Sequence, residues 1–189
     1  MLTKSNMVLR DVDILKKSKV VVSITITTLD ENKAKRLEPG APSPQKRIEA
    51  LKILSKIGIP TVLRVDPVIP YINDFEIEDV VKKAFEAGVK HIISSTYKAK
   101  LDSWKRMEKE FPNEMKKLRN LYFKFGEWIN GYYYLPKEYR LKIMKMVSEK
   151  AKKFEISFAV CREGFLELNF AESCDGSHLL NEGFSDFHK

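Results

Sequence analysis

The sequence predicts an α/β protein built on parallel strands, with a basic helical extension towards its C-terminus. Three observations carry this. Between residues 1 and 97, strand-length apolar runs alternate with segments of helical period, the order of a β/α repeat. The run Thr61-Val-Leu-Arg-Val is β-branched and apolar enough for a parallel strand covered on both faces. From residue 98 the composition turns basic and helical, with Pro112 and Pro136 as punctuation.

Thr3, Lys4 and Ser5 are polar residues of the kind that follow a strand in an α/β unit, although only a stub of strand precedes them. An amphipathic helix is expected from Asp11, with Val12, Ile14 and Leu15 inward and Lys16 and Lys17 outward. Residues 20–28 make the strongest strand. There Ser23, Thr25 and Thr27 alternate with Val22, Ile24 and Ile26, giving one hydroxyl-bearing face and one apolar face. In an open sheet the hydroxyls face solvent; in a barrel they face inward and need partners.

A loop punctuated by Pro39, Pro42 and Pro44 feeds a helix with Ile48, Leu51, Ile53, Leu54 and Ile57 at helical spacing, closed by Gly58. The strand at 61–65 follows, and Asp66-Pro67 is expected to end its hydrogen bonding. Residues 76–87 read as a helix with Ile77, Val80, Val81 and Phe85 apolar and Gly88 at its end. Residues 89–95 read as the next strand.

Residues 98–153 hold sixteen Lys or Arg against seven Asp or Glu, whereas the rest of the chain has eighteen against nineteen. The positive balance therefore lies in this segment. Helices are expected at 101–110, 113–125 and 137–153, with an aromatic cluster of Tyr122, Phe123, Phe125, Trp128, Tyr132, Tyr133 and Tyr134 between the last two. Cations meet phosphates and rings stack on bases, so a nucleic-acid surface is one reading, with Lys116, Lys117 and Arg119 as its contacts. A solvated lysine face, with the aromatics packed on the rest of the protein, is the other.

In the tail, a strand from 155 to 160 delivers Cys161-Arg162-Glu163-Gly164; Cys174 and His178 follow. Two sulfurs and an imidazole are candidate ligands for zinc or an iron–sulfur centre, one short of a full set unless Asp175 or an outside ligand joins them. Packed thiols beside a capping Asp-Gly-Ser turn are the alternative. The boundaries expected are 1–97, 98–154 and 155–189.

Of the 189 residues 43% are hydrophobic, enough for one domain with a sizeable core. No apolar run approaches the roughly 20 residues that span a bilayer, and no signal-peptide pattern opens the chain, so a cytoplasmic location and no membrane partner are expected. Two cysteines are too few for a disulfide framework. Abundant Lys and Glu with a single Gln give the bias of proteins from hot habitats.

The run EPGAPSPQKRIEALKILSKIGIP followed by VDPVIPYIND resembles the radical S-adenosylmethionine superfamily, in its spore-photoproduct-lyase-like branch of DNA repair photolyase proteins. Leu2-Thr-Lys-Ser with Arg10-Asp11, the run from Val22 to Asp30, CREGF and SCDGSHL fit the same pattern in the same order. The match covers most of the chain, but the family's CxxxCxxC loop does not occur in it. The resemblance therefore implies a partial (β/α) barrel, of the TIM-barrel type: the second half of a six-unit enzyme whose other half carries that loop.

The complete family holds a [4Fe-4S] cluster on three cysteines and cleaves S-adenosylmethionine reductively to a hydrogen-abstracting radical. Carried over, the resemblance implies that Lys4 meets the methionine carboxylate and that Thr25 meets the same carboxylate or the ribose. It implies that Asp66 to Pro70, including Ile69, packs along the adenine with Asn73 nearby. Glu38 and Arg47 belong to the same motif: Glu38 sits in a loop that follows a strand, and Arg47 could pair with it. It also favours a ligand role for Cys161, Cys174 and His178. No catalytic residue is singled out. The expectation is thus the C-terminal portion of a lyase-like radical enzyme, inactive without an N-terminal half. The alternative is a non-catalytic α/β module that binds nucleic acid or a protein through its basic helices, and a metal-independent barrel enzyme is a weaker third.

Overall fold

The computed structural model describes residues 1–182. It runs through β1 (Leu2–Thr3), a 3-10 turn (Asn6–Asp11), α1 (Val12–Lys16), β2 (Val22–Thr25), α2 (Glu31–Leu37), α3 (Pro44–Lys56), β3 (Thr61–Val68), α4 (Ile77–Glu86) and β4 (His91–Thr96). There follow α5 (Leu101–Glu110), α6 (Pro112–Phe123), the hairpin strands β5 (Glu127–Ile129) and β6 (Tyr132–Tyr134), α7 (Lys137–Lys153), β7 (Ser157–Val160) and α8 (Leu179–Glu182).

Five strands form one sheet in the order β1-β2-β3-β4-β7, every pair parallel. Spatial order equal to chain order means that each crossover steps the same way. The helices therefore gather on one face, as in a barrel wall. Ile24, Leu63, Ile92 and Phe158 form one register row on that face and are fully buried with Leu51 and Leu54 of α3, Val80 and Ala84 of α4, and Met144 and Val147 of α7.

The next row, Thr25, Arg64, Ile93 and Ala159, points the other way, so this inner face carries the polar residues. Its N-terminal half is closed by the tail. Leu179 packs on Val21, Val62 and Ile93. Gly176 holds φ +82°, and a Cβ there would collide with Val62, so the tail lies directly on the sheet.

Helix ends follow local chemistry. Ser43 caps α3, accepting from Lys46 N, with Pro44 in the first turn. Asp30 caps α2 by accepting from Lys33 N at 2.9 Å. Strand β3 runs past Asp66-Pro67 to Val68 through a register shift between Val65 and Val68, where the sequence is expected to end it. Pro67 has no N–H to give the ladder, and the shift is the sheet's accommodation of it.

Sequence expectation and structure part at α7. The helix lies over β4, β7 and α4, with Lys150 and Lys153 both bonded to Glu78. It is the crossover between β4 and β7, and β7 is the fifth strand of the main sheet. Helices α5 and α6 and the hairpin form the inserted part, joined to the sheet through backbone bonds between Ala99 and Tyr133. Residues 183–189 of the expected tail lie outside the described residues. Three apolar residues expected inward are exposed instead: Ile14, Ile53 and Phe85, the last packed against Phe154 at 5.5 Å. Among the described residues no helix is long and apolar enough to cross a membrane.

Candidate functional site

At the carboxyl edge of the strands the loops after β1, β2 and β3, with α2 and α5, enclose a cleft of about 580 Å³. Parallel α/β sheets bind ligands at this edge because strand ends and loop residues converge there. Lys4, Thr27, Glu38, Pro67, Ile69 and Tyr97 are among its lining residues. A second groove of about 370 Å³ shares Pro67, Tyr97, Ser103 and Arg106 with the cleft and continues it to Lys98, Lys100, Tyr132 and Arg162.

A chain of charges organises the cleft. Glu38 stands between two cations: Lys4 Nζ lies 2.9 Å from its Oε1, and Arg47 Nη1 lies 2.5 Å from its Oε2. Arg47 is 1% exposed, and its guanidinium also donates to the carbonyls of Thr25 (2.8 Å) and Pro42 (3.0 Å). The carboxylate and guanidinium thus tie the proline loop to the end of β2. Lys4, whose side chain is half exposed, is left with its ammonium at the cleft.

Thr27 supplies a hydroxyl. Its Oγ1 is buried and has no partner among the described residues, while the residue lines the cleft. Such a group is costly unless something bonds to it. Thr25 lies two residues earlier on the same face, buried; it is not among the cleft's lining residues. Asn73 is fully buried and spends its amide on the loop: Oδ1 accepts from Ile69 N (2.7 Å), and Nδ2 donates to the carbonyls of Thr27 (2.8 Å) and Pro67 (3.1 Å). Ile69 forms an apolar wall and Pro70 is buried behind it.

Asp66 belongs to the groove, accepting from Arg64 Nη2 (2.7 Å) and from Ser95 Oγ (2.5 Å). Arg64 Nη2 also donates to Cys161 Sγ at 3.3 Å. Beside them Glu163 is a buried junction that sequence reading did not single out. Its Oε1 accepts from Thr96 N (2.7 Å), Thr96 Oγ1 (2.9 Å) and Lys98 Nζ (3.0 Å), and its Oε2 from Arg140 Nη1 (3.1 Å). Arg140 Nη2 reaches on to Glu127 of the hairpin at 3.1 Å. The CREG run is the only sequence signal of this junction, and it does not show which cations lie nearby.

The three candidate metal ligands are not brought together. Cys161 sits at the carboxyl end of β7 beside Arg64, whereas the ring of His178 meets Ser157 at the opposite end of that strand and the carbonyl of Cys174 faces His91 of the neighbouring β4. Four residue steps along the strand separate Ser157 from Cys161, about 13 Å. His178 Nδ1 meets Ser173 Oγ at 2.7 Å and Nε2 meets Ser157 Oγ at 3.3 Å, both hydroxyls. His91 shares Ser157 Oγ (2.9 Å) and faces the Cys174 carbonyl (3.2 Å), and burial pushes its pKa down to about 4. Among the described residues no group of three or more His, Cys, Asp or Glu is placed to hold a metal. The metal expectation for Cys161, Cys174 and His178 is corrected accordingly: the tail folds back and gives its histidine to hydroxyl partners.

The basic residues expected to contact nucleic acid are on α6, where Lys116, Lys117 and Arg119 are exposed. Arg119 pairs with Glu108 at 2.8 Å, and Lys117 lies 5.4 Å from the Tyr71 ring. They are not among the lining residues of the cleft or the groove. Of the aromatics, Tyr122 and Tyr134 are core, while Phe125 and Trp128 are 58% and 62% exposed on the hairpin side, with Lys100 4.6 Å from the Tyr132 ring.

Residues 1–84 match the radical SAM superfamily. The radical SAM match thus ends within α4, after three strands of the sheet and the whole Lys4–Glu38–Arg47 chain. The chain is 46% identical over 76 residues to an uncharacterized protein of Methanocaldococcus jannaschii, covering 40% of this chain and 29% of that one. It is 27% identical over 149 residues to an uncharacterized protein of Acidianus two-tailed virus, covering 67% and 49%. Among solved structures it is similar to a spore photoproduct lyase double mutant with bound AdoMet and dinucleoside spore photoproduct, at a TM-score of 0.66 and 15% identity, over 84% of this chain and 49% of that one. Another structure of that lyase, complexed with the dinucleoside spore photoproduct, matches at 0.64 with the same identity and coverage. At that identity the likeness carries the fold alone: the five-stranded parallel sheet with its helices is similar to the partial barrel of that lyase. The chain spans about half the length of these proteins or less.

The residues present fit S-adenosylmethionine in part. Thr27 Oγ1 lacks a partner, Lys4 offers an ammonium, and Pro67, Ile69 and Tyr97 give an apolar wall. They do not fit a [4Fe-4S] cluster, which is held by a set of thiolates close together; the chain has two cysteines, and the strand geometry keeps them apart.

Proposed function

We propose that this chain is the C-terminal portion of a radical SAM enzyme related to photoproduct lyases, and that its cleft holds part of S-adenosylmethionine. The observation that carries the reading is the Lys4–Glu38–Arg47 chain at the carboxyl edge of the sheet beside the unpartnered Thr27 hydroxyl. Lys4 meets the cofactor carboxylate, and Thr27, just past the end of β2, offers its hydroxyl in the cleft, with Thr25 buried behind it. Ile69 and Pro67 pack along the adenine, with Asn73 holding that loop in shape and Pro70 backing it. Asp66 lines the groove that continues the cleft, at the start of the Asp66 to Pro70 strand end.

When bound beside a cluster, the cofactor supplies hydrogen-abstraction chemistry; a segment carrying CxxxCxxC provides the cluster thiolates. This chain's residues bind, orient and exclude water. It is inactive alone and works in the cytoplasm of a heat-adapted host. Equilibrium binding tests the cleft. The isolated chain binds S-adenosylmethionine weakly, and Lys4→Met lowers the affinity by about tenfold, the scale of one charge-assisted contact. Equal affinity in both proteins refutes the assignment.

A second reading has its own observation. Lys100, Arg106 and Arg162 line a groove next to Tyr132, and the exposed Phe125 and Trp128 stand on the hairpin side, a pairing of cations with stacking surfaces. On that reading the chain binds single-stranded nucleic acid, as substrate or as a non-catalytic module, with Lys116, Lys117 and Arg119 as outlying contacts. Loss of binding in a Trp128→Ala, Arg162→Ala double variant is the expected outcome; unchanged binding removes the groove from the reading.

A further inference from the structure

The Lys4, Thr27 and Ile69 side of the cleft has a role in the cofactor reading; the side formed by α2 and α5 has none. That side is basic. Lys35 and Arg36 line it from α2, and Arg106 and Lys109 from α5, all four exposed. With Lys4 they make five cations around the cleft against two carboxylates, Glu38 and Glu110. The ammonium groups of Lys35 and Lys109 have no hydrogen-bond or ion-pair partner among the described residues. Arg36 is held ready. Its guanidinium carbon lies 4.0 Å from the centroid of the Phe111 ring, which is 3% exposed, so the flat group rests on a fixed surface. Stacking occupies a face and leaves the edges. The nearest carboxylate is Glu110, 3.7 Å from Nε and beyond hydrogen-bond reach. Nη1 and Nη2, the pair at the end of the fork, donate to no described residue. Arg106 differs: its Nη2 is spent on Asp102 at 3.0 Å, so it adds charge rather than a fork.

We propose that the α2–α5 side of the cleft binds a phosphate group of a second ligand, beside the cofactor. The Nη1–Nη2 end of Arg36 takes two phosphate oxygens, and Lys35, Arg106 and Lys109 balance the charge. A phosphate suits this place better than a carboxylate, because a dianion draws on more of the four cations. Glu110 opposes the anion; its loose contact with Arg36 is the one that phosphate displaces. S-adenosylmethionine carries a sulfonium and an ammonium against one carboxylate, so a net-positive cleft repels it. An anion beside it raises its affinity, and by linkage the cofactor raises that of the anion. This coupling rests on the cofactor reading; the phosphate site stands without it.

The test is an NMR titration of the whole chain with inorganic phosphate, cytidine 5'-monophosphate and a short single-stranded oligonucleotide, using acetate as the control anion. Saturable shifts are expected at the amides of Arg36 and Lys109, with every phosphate probe bound more tightly than acetate. Arg36→Leu, its fold unchanged by circular dichroism, is expected to weaken cytidine monophosphate by about tenfold, and Glu110→Gln to tighten it. Of the probes that Arg36→Leu weakens, a tighter mononucleotide marks a small ligand as the source of the phosphate, and a tighter oligonucleotide marks a nucleic-acid backbone. With cytidine monophosphate saturating, S-adenosylmethionine is expected to bind about fivefold more tightly, and S-adenosylhomocysteine, whose sulfur is uncharged, to gain less. An equal gain for both removes the charge coupling. Phosphate binding without any S-adenosylmethionine binding refutes the cofactor reading alone. Non-saturating shifts, equal response to acetate, or cytidine monophosphate binding intact in Arg36→Leu overturns the phosphate site. If Arg36→Leu does not fold, the double variant Lys35→Ser, Lys109→Ser decides: unchanged affinity overturns the site as well.

Discussion

Arg47 and Glu38, on α3 and on the loop before it, form an ion pair of 2.5 Å in which both side chains are at least nine-tenths buried. Neither charge has water to fall back on. Replacing Arg47 by Met leaves Glu38 with Lys4 alone, and the loss is expected to be about 3–5 kcal/mol, the cost of stranding a buried charge. Urea denaturation measures it. A loss below about 1 kcal/mol contradicts the view that this pair fixes the proline loop to the sheet.

His91 makes stability depend on pH. His91 has its pKa lowered from 6.5 to about 4, chiefly by burial, so the unfolded chain takes up a proton at a higher pH than the folded one. Its contribution is fully present above pH 6.5 and is lost as pH falls from there through 4, a total of about 3 kcal/mol. Asp175 is a charge near it, with His178 edge-on at 5.1 Å. His91→Gln is expected to flatten the acid limb of a melting-temperature profile; a limb of unchanged steepness assigns the loss to other groups.

Much of this was legible beforehand, for identifiable reasons. Strand β2 and helix α3 declare themselves by alternation and by Gly58, and the Glu38–Arg47 pair follows from motif residues placed on adjoining elements. Helix α2 was not foreseen, because ENKAKRL has no apolar period; Asp30, three residues before Lys33, was its one local signal. Phe85 and Ile14 keep helical spacing yet face outward, since spacing does not say whether another element covers that side. The place of β7 beside β4 rests on contacts more than sixty residues apart in sequence, and with it went the fate of Cys161, Cys174 and His178.

Metal content follows from that geometry. Purified from metal-replete medium, the chain is expected to retain no stoichiometric zinc or iron, and Cys161→Ala and Cys174→Ala are expected to change nothing. Elemental analysis showing a metal released by either substitution contradicts the described arrangement of the tail.

For nucleic acid, affinity for a single-stranded oligonucleotide is expected to fall steeply with salt, with a logarithmic slope of about 0.7 per phosphate contact. Neutralising Lys100, Arg106 and Arg162 reduces that slope more than neutralising Lys116, Lys117 and Arg119, because only the first set lines the groove. Equal slopes move the contact surface to α6, and salt-independent binding sets the second reading aside.

On the proposed function the chain holds cofactor-binding residues but does not itself assemble the cluster. Anaerobic reconstitution with iron, sulfide and a strong reductant, followed by assay for 5'-deoxyadenosine, tests it most directly. No product is expected from this chain alone, and product is expected once a segment carrying CxxxCxxC is added in trans, with Lys4→Met reducing it. Cleavage of S-adenosylmethionine by the isolated chain would contradict it.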